Sequence, residues 1–270
     1  KKRRAVMMSV MPYTPIEMMI IAAAREIRDG ETVFMGTYWP IPSVMLAKKT
    51  HAPHITIMVE GGLVTDAAPP RIPLIAADVT LSMNAVFCGE TLDTMGMFLH
   101  GGHVDVTFLS AAMVDKYGNV NTTSVGDYAN PRVRMAGSGG ASDLACLSKR
   151  FVIMLEHDIN RFPKRVDYIT TPGYLDGYES RQEAGLPKDT GPSAVVTTMG
   201  VFRFEEYSKE MILAEYYQGL DVDTVKKHVG WELKLAEGVK QTPPPTEEEL
   251  RVLRSEVDPQ GMYLQEERRK

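Results

Sequence analysis

Two places in the 270-residue chain combine a functional group with room for a ligand to approach it. The first is Glu60. Ile55-Thr56-Ile57-Met58-Val59 lead into it as a buried strand and Gly61-Gly62 follow. In open α/β sheets ligands bind beyond the carboxyl ends of the strands, and the two glycines would let backbone or substrate come close to the carboxylate. Taken alone, the residue reads first as a solvated glutamate at an ordinary strand end. The second is Gly137-Ser138-Gly139-Gly140-Ala141, a flexible loop that runs into a helix start. Exposed N–H groups at such a junction could take a phosphate, a carboxylate or a developing oxyanion. The alternative is that these glycines make only a tight turn and a close helix contact. Their spacing is not that of a dinucleotide fingerprint, and no Gly-Lys-Ser/Thr of a phosphate loop follows, so the segment gives no support to nucleotide binding. His51 and His54, like His100 and His103, are three apart, but Pro53 and Gly101-Gly102 interrupt the pairs, so neither shares a helix face. No metal site is expected, and no Gly-x-Ser-x-Gly elbow marks a serine nucleophile.

The elements that must hold these groups alternate. Thr14-Pro15-Ile16-Glu17 carries a capping threonine, a first-turn proline and a glutamate three residues past the cap, which predicts a helix ending at Asp29-Gly30. Thr32 to Met35 reads as a short buried strand, Ser43 to Lys49 as a second helix, and Ile55 to Val59 as a second strand stopped by Glu60-Gly61-Gly62. Thr65 to Pro73 reads as a surface loop, and Val79 to Cys88 fits strand or helix equally. Val104 to Leu109 reads as strand, Asp115 to Asn119 as a turn, and Val120 to Ser124 as a strand beyond it. The glycine loop should open a helix from Ala141 to Ser148. Strands are expected at Phe151 to Leu155, Val166 to Thr170, Val195 to Thr198, Val201 to Phe204 and Met211 to Tyr217. Pro243-Pro244-Pro245 precede a polar helix capped by Thr246, with Glu247, Glu248 and Glu249 in its first turn and Arg251 and Arg254 further on; it reads as a docking appendage. The expected fold is α/β: a single open, mainly parallel sheet flanked by helices, one domain over residues 1–270 with an extended C-terminal tail from about residue 241.

Composition narrows the class. With 44% hydrophobic and 24% charged residues the chain is globular and soluble rather than disordered or fibrous. The longest apolar run, Met18 to Ala24, is far shorter than the ~20 residues of a membrane span. Lys1-Lys2-Arg3-Arg4 imitates the start of a secretory signal, but Pro12, Pro15 and Glu17 interrupt the apolar region, so a cytoplasmic protein is expected. A net charge of −5 with scattered basic residues offers no footprint for nucleic acid. Cys88 and Cys146 are too few for a disulfide framework and read as buried thiols. The 17 methionines favour an adaptable packed interface.

Val59-Glu60-Gly61-Gly62, then Asp115-Lys116-Tyr117-Gly118-Asn119-Val120-Asn121, then Gly137-Ser138-Gly139-Gly140-Ala141 come in the order found in family I coenzyme A transferases. The chain resembles the β subunits of that family, those of the glutaconate type above all. The likeness runs from the helix at Thr14 to Glu256-Val257-Asp258-Pro259 and takes in Thr171-Pro172-Gly173-Tyr174-Leu175-Asp176-Gly177 and Gly185-Leu186-Pro187. The resemblance implies that Glu60 is a nucleophile that moves coenzyme A from an acyl-CoA to a carboxylic acid through a covalent glutamyl-CoA. It implies backbone N–H donors from Gly137, Ser138, Gly139, Gly140 and Ala141, Gly140 foremost, and a coenzyme A thioester as substrate with no permanently bound cofactor. It also implies a homologous α subunit supplying a second amide-rich loop, with the active site at their junction. Where many members have Ser or Asn beside the glutamate, this chain has Val59 and Gly61-Gly62, which leaves the acyl group open. Members that cleave carbon–carbon bonds lack the glutamate, so Glu60 argues against that chemistry. An acyl-CoA hydrolase on the same scaffold and a non-catalytic stabilising subunit are the alternatives, the latter disfavoured by the retained Glu60 and glycine loop.

Overall fold

Thr14 and Glu17 close the capping box that the sequence predicts: Glu17 N donates to Thr14 Oγ1 at 3.2 Å and Thr14 N to the Glu17 carboxylate at 2.8 Å. Pro15 takes the first turn of α1 (Pro15–Ala24). The computed structural model describes residues 12–264, so Lys1 to Arg4 lie outside the described residues. The helix stops before Asp29: Arg25 N still donates to Ile21 O, but Glu26 N and Ile27 N turn to the i−3 carbonyls of Ala23 and Ala24, while the Arg25 side chain binds the Glu249 carboxylate and the carbonyls of Pro243 and Pro244. Gly30, at φ +82°, then turns the chain into β1 (Thr32–Met35). The second helix, α2 (Pro40–Lys49), begins earlier than predicted, since Pro40 has the φ that a first helical position wants. It is followed by β2 (Thr56–Val59), β3 (Leu63–Thr65), β4 (Ala85–Cys88) and β5 (Val106–Ser110).

Four short strands build an excursion beyond β5: β6 (Met113–Val114), β7 (Val120–Asn121), β8 (Ser124–Val125) and β9 (Val133–Arg134). It returns through α3 (Ala141–Leu147) to β10 (Arg150–Leu155). After α4 (Ser180–Glu183) come β11 (Pro192–Thr197), β12 (Gly200–Phe204) and β13 (Met211–Tyr216), then α5 (Val222–Lys226), β14 (Lys234–Gln241) and α6 (Glu247–Val252). The ten-stranded sheet has the order β14-β13-β12-β11-β10-β5-β1-β2-β3-β4. Its central strands β11, β10, β5, β1 and β2 are all parallel, while β3 and β4 on one side and β12 and β13 on the other are antiparallel to their inner neighbours.

Both faces of that centre are covered, which is why its strands carry runs of consecutive apolar residues rather than an alternation, such as Val33-Phe34-Met35, Ile57-Met58-Val59 and Phe151 to Leu155. Val33, Met35, Ile57, Val59, Phe108 and Val152 pack with α1, α2 and Val252, Leu253 and Val257 of the tail. Phe34, Met58, Leu109, Phe151 and Ile153 pack on the opposite face with Leu144 and Ala145 of α3. The tail is therefore docked on the chain's own first helices. Arg254 reaches the Glu17 carboxylate at 2.6 Å, and Tyr263 donates its hydroxyl to Pro73 O at 2.8 Å.

Several expectations change. Val79 to Cys88 holds both alternatives, a 3-10 turn at Val79–Ser82 and then β4. Val120 to Ser124 is broken into β7 and β8, because the Asn121 amide oxygen accepts from Thr123 N and Ser124 N and forms a turn. Val166 to Thr170 is not a strand: Thr170 N donates to Val120 O and Gly126 N to the Asp167 carboxylate, and Asp167 to Ile169 lie exposed with no strand alongside. Cys88 is not buried, since it lies on β4, the last strand of the sheet, and points outward; Cys146 is half-buried. The polar edge strand β14 and a π-helical segment at Leu92–Leu99 carry no clear periodic signal in the sequence. Among the described residues no helix is long and apolar enough to cross a membrane.

Candidate active site

The carboxyl ends of β1, β2, β5, β10 and β11 open on one edge of the sheet, and Glu60 is the first residue past β2 there. It sits in a turn that requires glycine at Gly62. Gly62 N donates to Val59 O at 3.3 Å, and Gly62 has φ +84° with Gly89 O within 2.4 Å of where a Cβ would stand. Gly89 N ties back to Gly62 O at 2.8 Å, so β4 clamps the turn from its far side. Thr94, fully buried, points its hydroxyl at Glu60 O. The Glu60 backbone is thus fixed while its residue remains exposed.

The glycine loop meets that carboxylate. A Cβ built on Gly140 would lie 3.2 Å from Glu60 Cδ and Oε1 and 2.7 Å from Met95 Cε. The two sequence candidates, 80 positions apart, are therefore neighbours. Thr122 holds the loop at both polar groups of Gly137: Gly137 N donates to Thr122 O and Thr122 Oγ1 to Gly137 O, each at 2.8 Å. Ala141 N is taken by Ser138 O at 3.0 Å. Gly137 and Ala141 consequently spend their N–H groups on the loop itself. Those of Ser138, Gly139 and Gly140 make no hydrogen bond among the described residues. Gly139 at φ +50° and Gly137 at φ +94° give the loop its curvature. A carboxylate against N–H groups not used by the fold can attack a carbonyl whose oxygen charge those groups receive.

Met95 and Thr94 complete the wall, and sequence reasoning missed both. Their segment, Leu92–Leu99, opens where the Asp93 carboxylate accepts from Glu90 N at 2.7 Å, a local turn signal visible in Glu90-Thr91-Leu92-Asp93.

The middle motifs have another role. Asp115 is buried, and its carboxylate accepts from Tyr117 N, Asn119 N and Asn119 Nδ2; burial pushes it above the usual carboxylate range. The Asn119 amide oxygen accepts from Gly173 N and Leu175 N, and its nitrogen donates to Leu175 O. Asp115-Lys116-Tyr117-Gly118-Asn119 and Thr171 to Gly177 form one interlocked knot beneath the excursion. Fully buried Arg181 joins it to α3, donating to Pro172 O, Gly173 O and Ala145 O. The histidines do not gather: His54 pairs with Asp29, His51 faces Ile27 O, and His157 is stacked on Phe162. Among the described residues no three His, Cys, Asp or Glu side chains are grouped to hold a metal ion.

Residues 16–228 match the family model described as Coenzyme A transferase. The chain is 35% identical over 258 residues to the β subunit of glutaconate CoA-transferase of Acidaminococcus fermentans, covering 94% of this chain and 96% of that protein. It is 37% identical over 243 residues to the β subunit of 3-oxoadipate CoA-transferase of Pseudomonas knackmussii, covering 90% and 93%. The crystal structure of glutaconate coenzyme A-transferase from A. fermentans superposes with a TM-score of 0.88 at 34% identity, over 94% of this chain and 98% of that one.

Proposed function

The chain belongs to the coenzyme A transferase family, and from that premise we propose that it is the subunit that supplies the nucleophile, Glu60, working with a homologous α subunit. The observation that carries this reading is the contact between the Glu60 carboxylate and Gly140, at the loop whose Ser138, Gly139 and Gly140 N–H groups the fold leaves unused. In the reaction proposed, a Glu60 oxygen attacks the thioester carbonyl of an acyl-CoA. The C–S bond breaks to give an acyl-glutamyl anhydride and the coenzyme A thiolate. The thiolate attacks the glutamyl carbonyl and expels the acyl group as its carboxylate, leaving glutamyl-CoA. An incoming carboxylate repeats the steps in reverse, taking the thiolate and restoring Glu60. Thiolates and carboxylates are the only leaving groups, so no proton has to be moved. Each tetrahedral intermediate carries an oxyanion for the glycine loop to stabilise, a role worth on the order of 3 kcal/mol per donor.

A dicarboxylic acyl group is the proposed substrate class, since both relatives above are named for one, glutaconate and 3-oxoadipate. The exposure of Glu60 favours one second reading, hydrolysis, in which water resolves the intermediate. The assembled enzyme incubated with acyl-CoA and no acceptor distinguishes them: a transferase halts with coenzyme A bound to Glu60, a hydrolase turns over. Mass spectrometry of the Glu60 peptide should find the thioester or its hydroxamate, and Glu60→Ala should abolish both transfer and label without loss of fold. Attachment at any other residue would refute the assignment.

A further inference from the structure

The excursion that carries the glycine loop ends in an aromatic and cationic surface that the acyl transfer does not use. In its hairpin, Ser124 pairs with Arg134 and Val125 with Val133, and Arg132 N donates to Val125 O at 2.9 Å. The same ladder continues through Met135 N to Thr123 O and Gly137 N to Thr122 O, so hairpin and glycine loop form one rigid piece. At the hairpin Tyr128 stacks on Tyr168, ring centroids 5.1 Å apart and planes within 21°, although Tyr128 is 56% exposed and Tyr168 37%. The Arg134 guanidinium lies 4.6 Å from the Tyr128 ring centroid and donates to Tyr128 O at 2.7 Å, and Arg132, two positions earlier on the hairpin, is exposed. The two acidic neighbours are turned onto backbone: Asp127 accepts from Ala129 N and Asn130 N, and Asp167 from Gly126 N. An open π-stack with two arginines at its side matches a purine base bearing phosphates, because every base has a face to stack and guanidinium groups pair with phosphate oxygens.

Coenzyme A carries such a group, an adenine nucleotide, at the far end of a long arm from its sulfur. Resting on the acyl-CoA reading above, we propose that Tyr128, Tyr168, Arg132 and Arg134 seat the nucleotide end of the thioester while its sulfur reaches Glu60 along the glycine loop. The adenine stacks on the tyrosine pair and the phosphates meet the arginines. The hairpin then acts as a ruler, since the ladder fixes its distance from Gly140.

The test compares the wild-type complex with Tyr128→Ala and with the double variant Arg132→Ala, Arg134→Ala. The substrates are an acyl-CoA and the same acyl group on pantetheine, which lacks the nucleotide. Each variant should raise KM for the acyl-CoA roughly tenfold or more, with kcat at saturation held, and leave KM for the acyl-pantetheine unchanged. Arg134→Lys should restore part of the loss. Equal effects on both substrates would reduce the hairpin to a support for the loop, and no effect on either would remove it from binding; either result overturns the proposal. Dissociation of the complex on gel filtration would mark a contact between subunits instead and also overturns it. Calorimetry with free coenzyme A separates this idea from the transfer chemistry. Binding weakened roughly tenfold in the variants upholds the seat even if no acyl donor turns over, and unchanged binding refutes it even if transfer is observed.

Discussion

Gly140 answers to two neighbours at once, the Glu60 carboxylate and the Met95 methyl. Its backbone, φ −80° and ψ 0°, is open to any L residue, so strain is not the reason for glycine there. Space is. Met95 Cε is the free end of a flexible side chain and can swing away, whereas the Glu60 carboxylate, 3.2 Å from the added Cβ, would have to give by a few tenths of an ångström. Gly140→Ala should therefore keep the fold and lower kcat by about tenfold, short of the roughly 10²-fold that a full 1 Å misplacement costs, with a much smaller rise in KM. Gly140→Val should lose more. Adding Met95→Ala to Gly140→Ala should relieve the packing strain and recover stability without recovering rate. Ser138→Ala, which removes a hydroxyl and keeps the N–H, is the control and should stay near wild type. Undiminished kcat in Gly140→Ala would return the loop to a simple turn.

Among the elements, β10 makes the sharpest physical prediction. Two residues beyond its end His157 is stacked against both Phe162 and Phe202, with Nδ1 3.1 Å from Thr197 Oγ1 and a buried Nε2 without a hydrogen-bond partner among the described residues. Burial first, then the nearby His228, pushes its pKa down to about 4 from 6.5. The unfolded chain binds this proton from about pH 6.5 downward and the folded chain only near 4. Stability thus falls as pH drops below 6.5, and the loss is complete below about 4, on the order of 3 kcal/mol. His157→Phe should remove that acid limb: its unfolding free energy, measured by denaturant titration, should gain a few kcal/mol on wild type between pH 7 and 4. A difference that does not change with pH would rule out the ring as the source. Elements of this kind divide the legible from the illegible. The five central strands and α1 were readable because burial on both faces writes unbroken apolar runs and because the capping box of Thr14 and Glu17 is local. Glu60 and Gly137 to Gly140 were readable as strand-end and helix-start groups. Their contact with each other was not, since it is set by the order β5-β1-β2 and the return through α3. The edge strand β14 is polar and exposed, and Val166 to Thr170 has strand-like residues of which only Thr170 meets a strand, at Val120 of β7. In both, the neighbours rather than the residues decide.

For the molecule as a whole, exposure around the site is the feature to explain. Val79 is 73% exposed, Leu92 72%, Met97 67%, Met83 66% and Val86 63%, all from the stretch that leads from the 3-10 turn through β4 to the wall holding Met95. Apolar groups gathered in this way mark a surface that meets a partner. The isolated chain should accordingly show no transfer with any acyl-CoA, and activity should appear on mixing with the homologous α subunit. Full activity from the chain alone would contradict the two-subunit reading. The docked tail has a further consequence, for synthesis. Nine of the ten residues of α1 are buried, chiefly against α2 and the sheet, and the tail completes the cover of that core with Val252, Leu253 and Val257, Arg254 clasping Glu17 and Glu249 clasping Arg25. A ribosome adding residues in order releases α1 first and the tail about 230 residues later, an interval of roughly 10–50 s. Through that time α1 can lie on α2 and then on β10 and β11, but the side of this core that the tail covers stays open, so the nascent chain offers an apolar surface to chaperones or to aggregation until its last turns emerge.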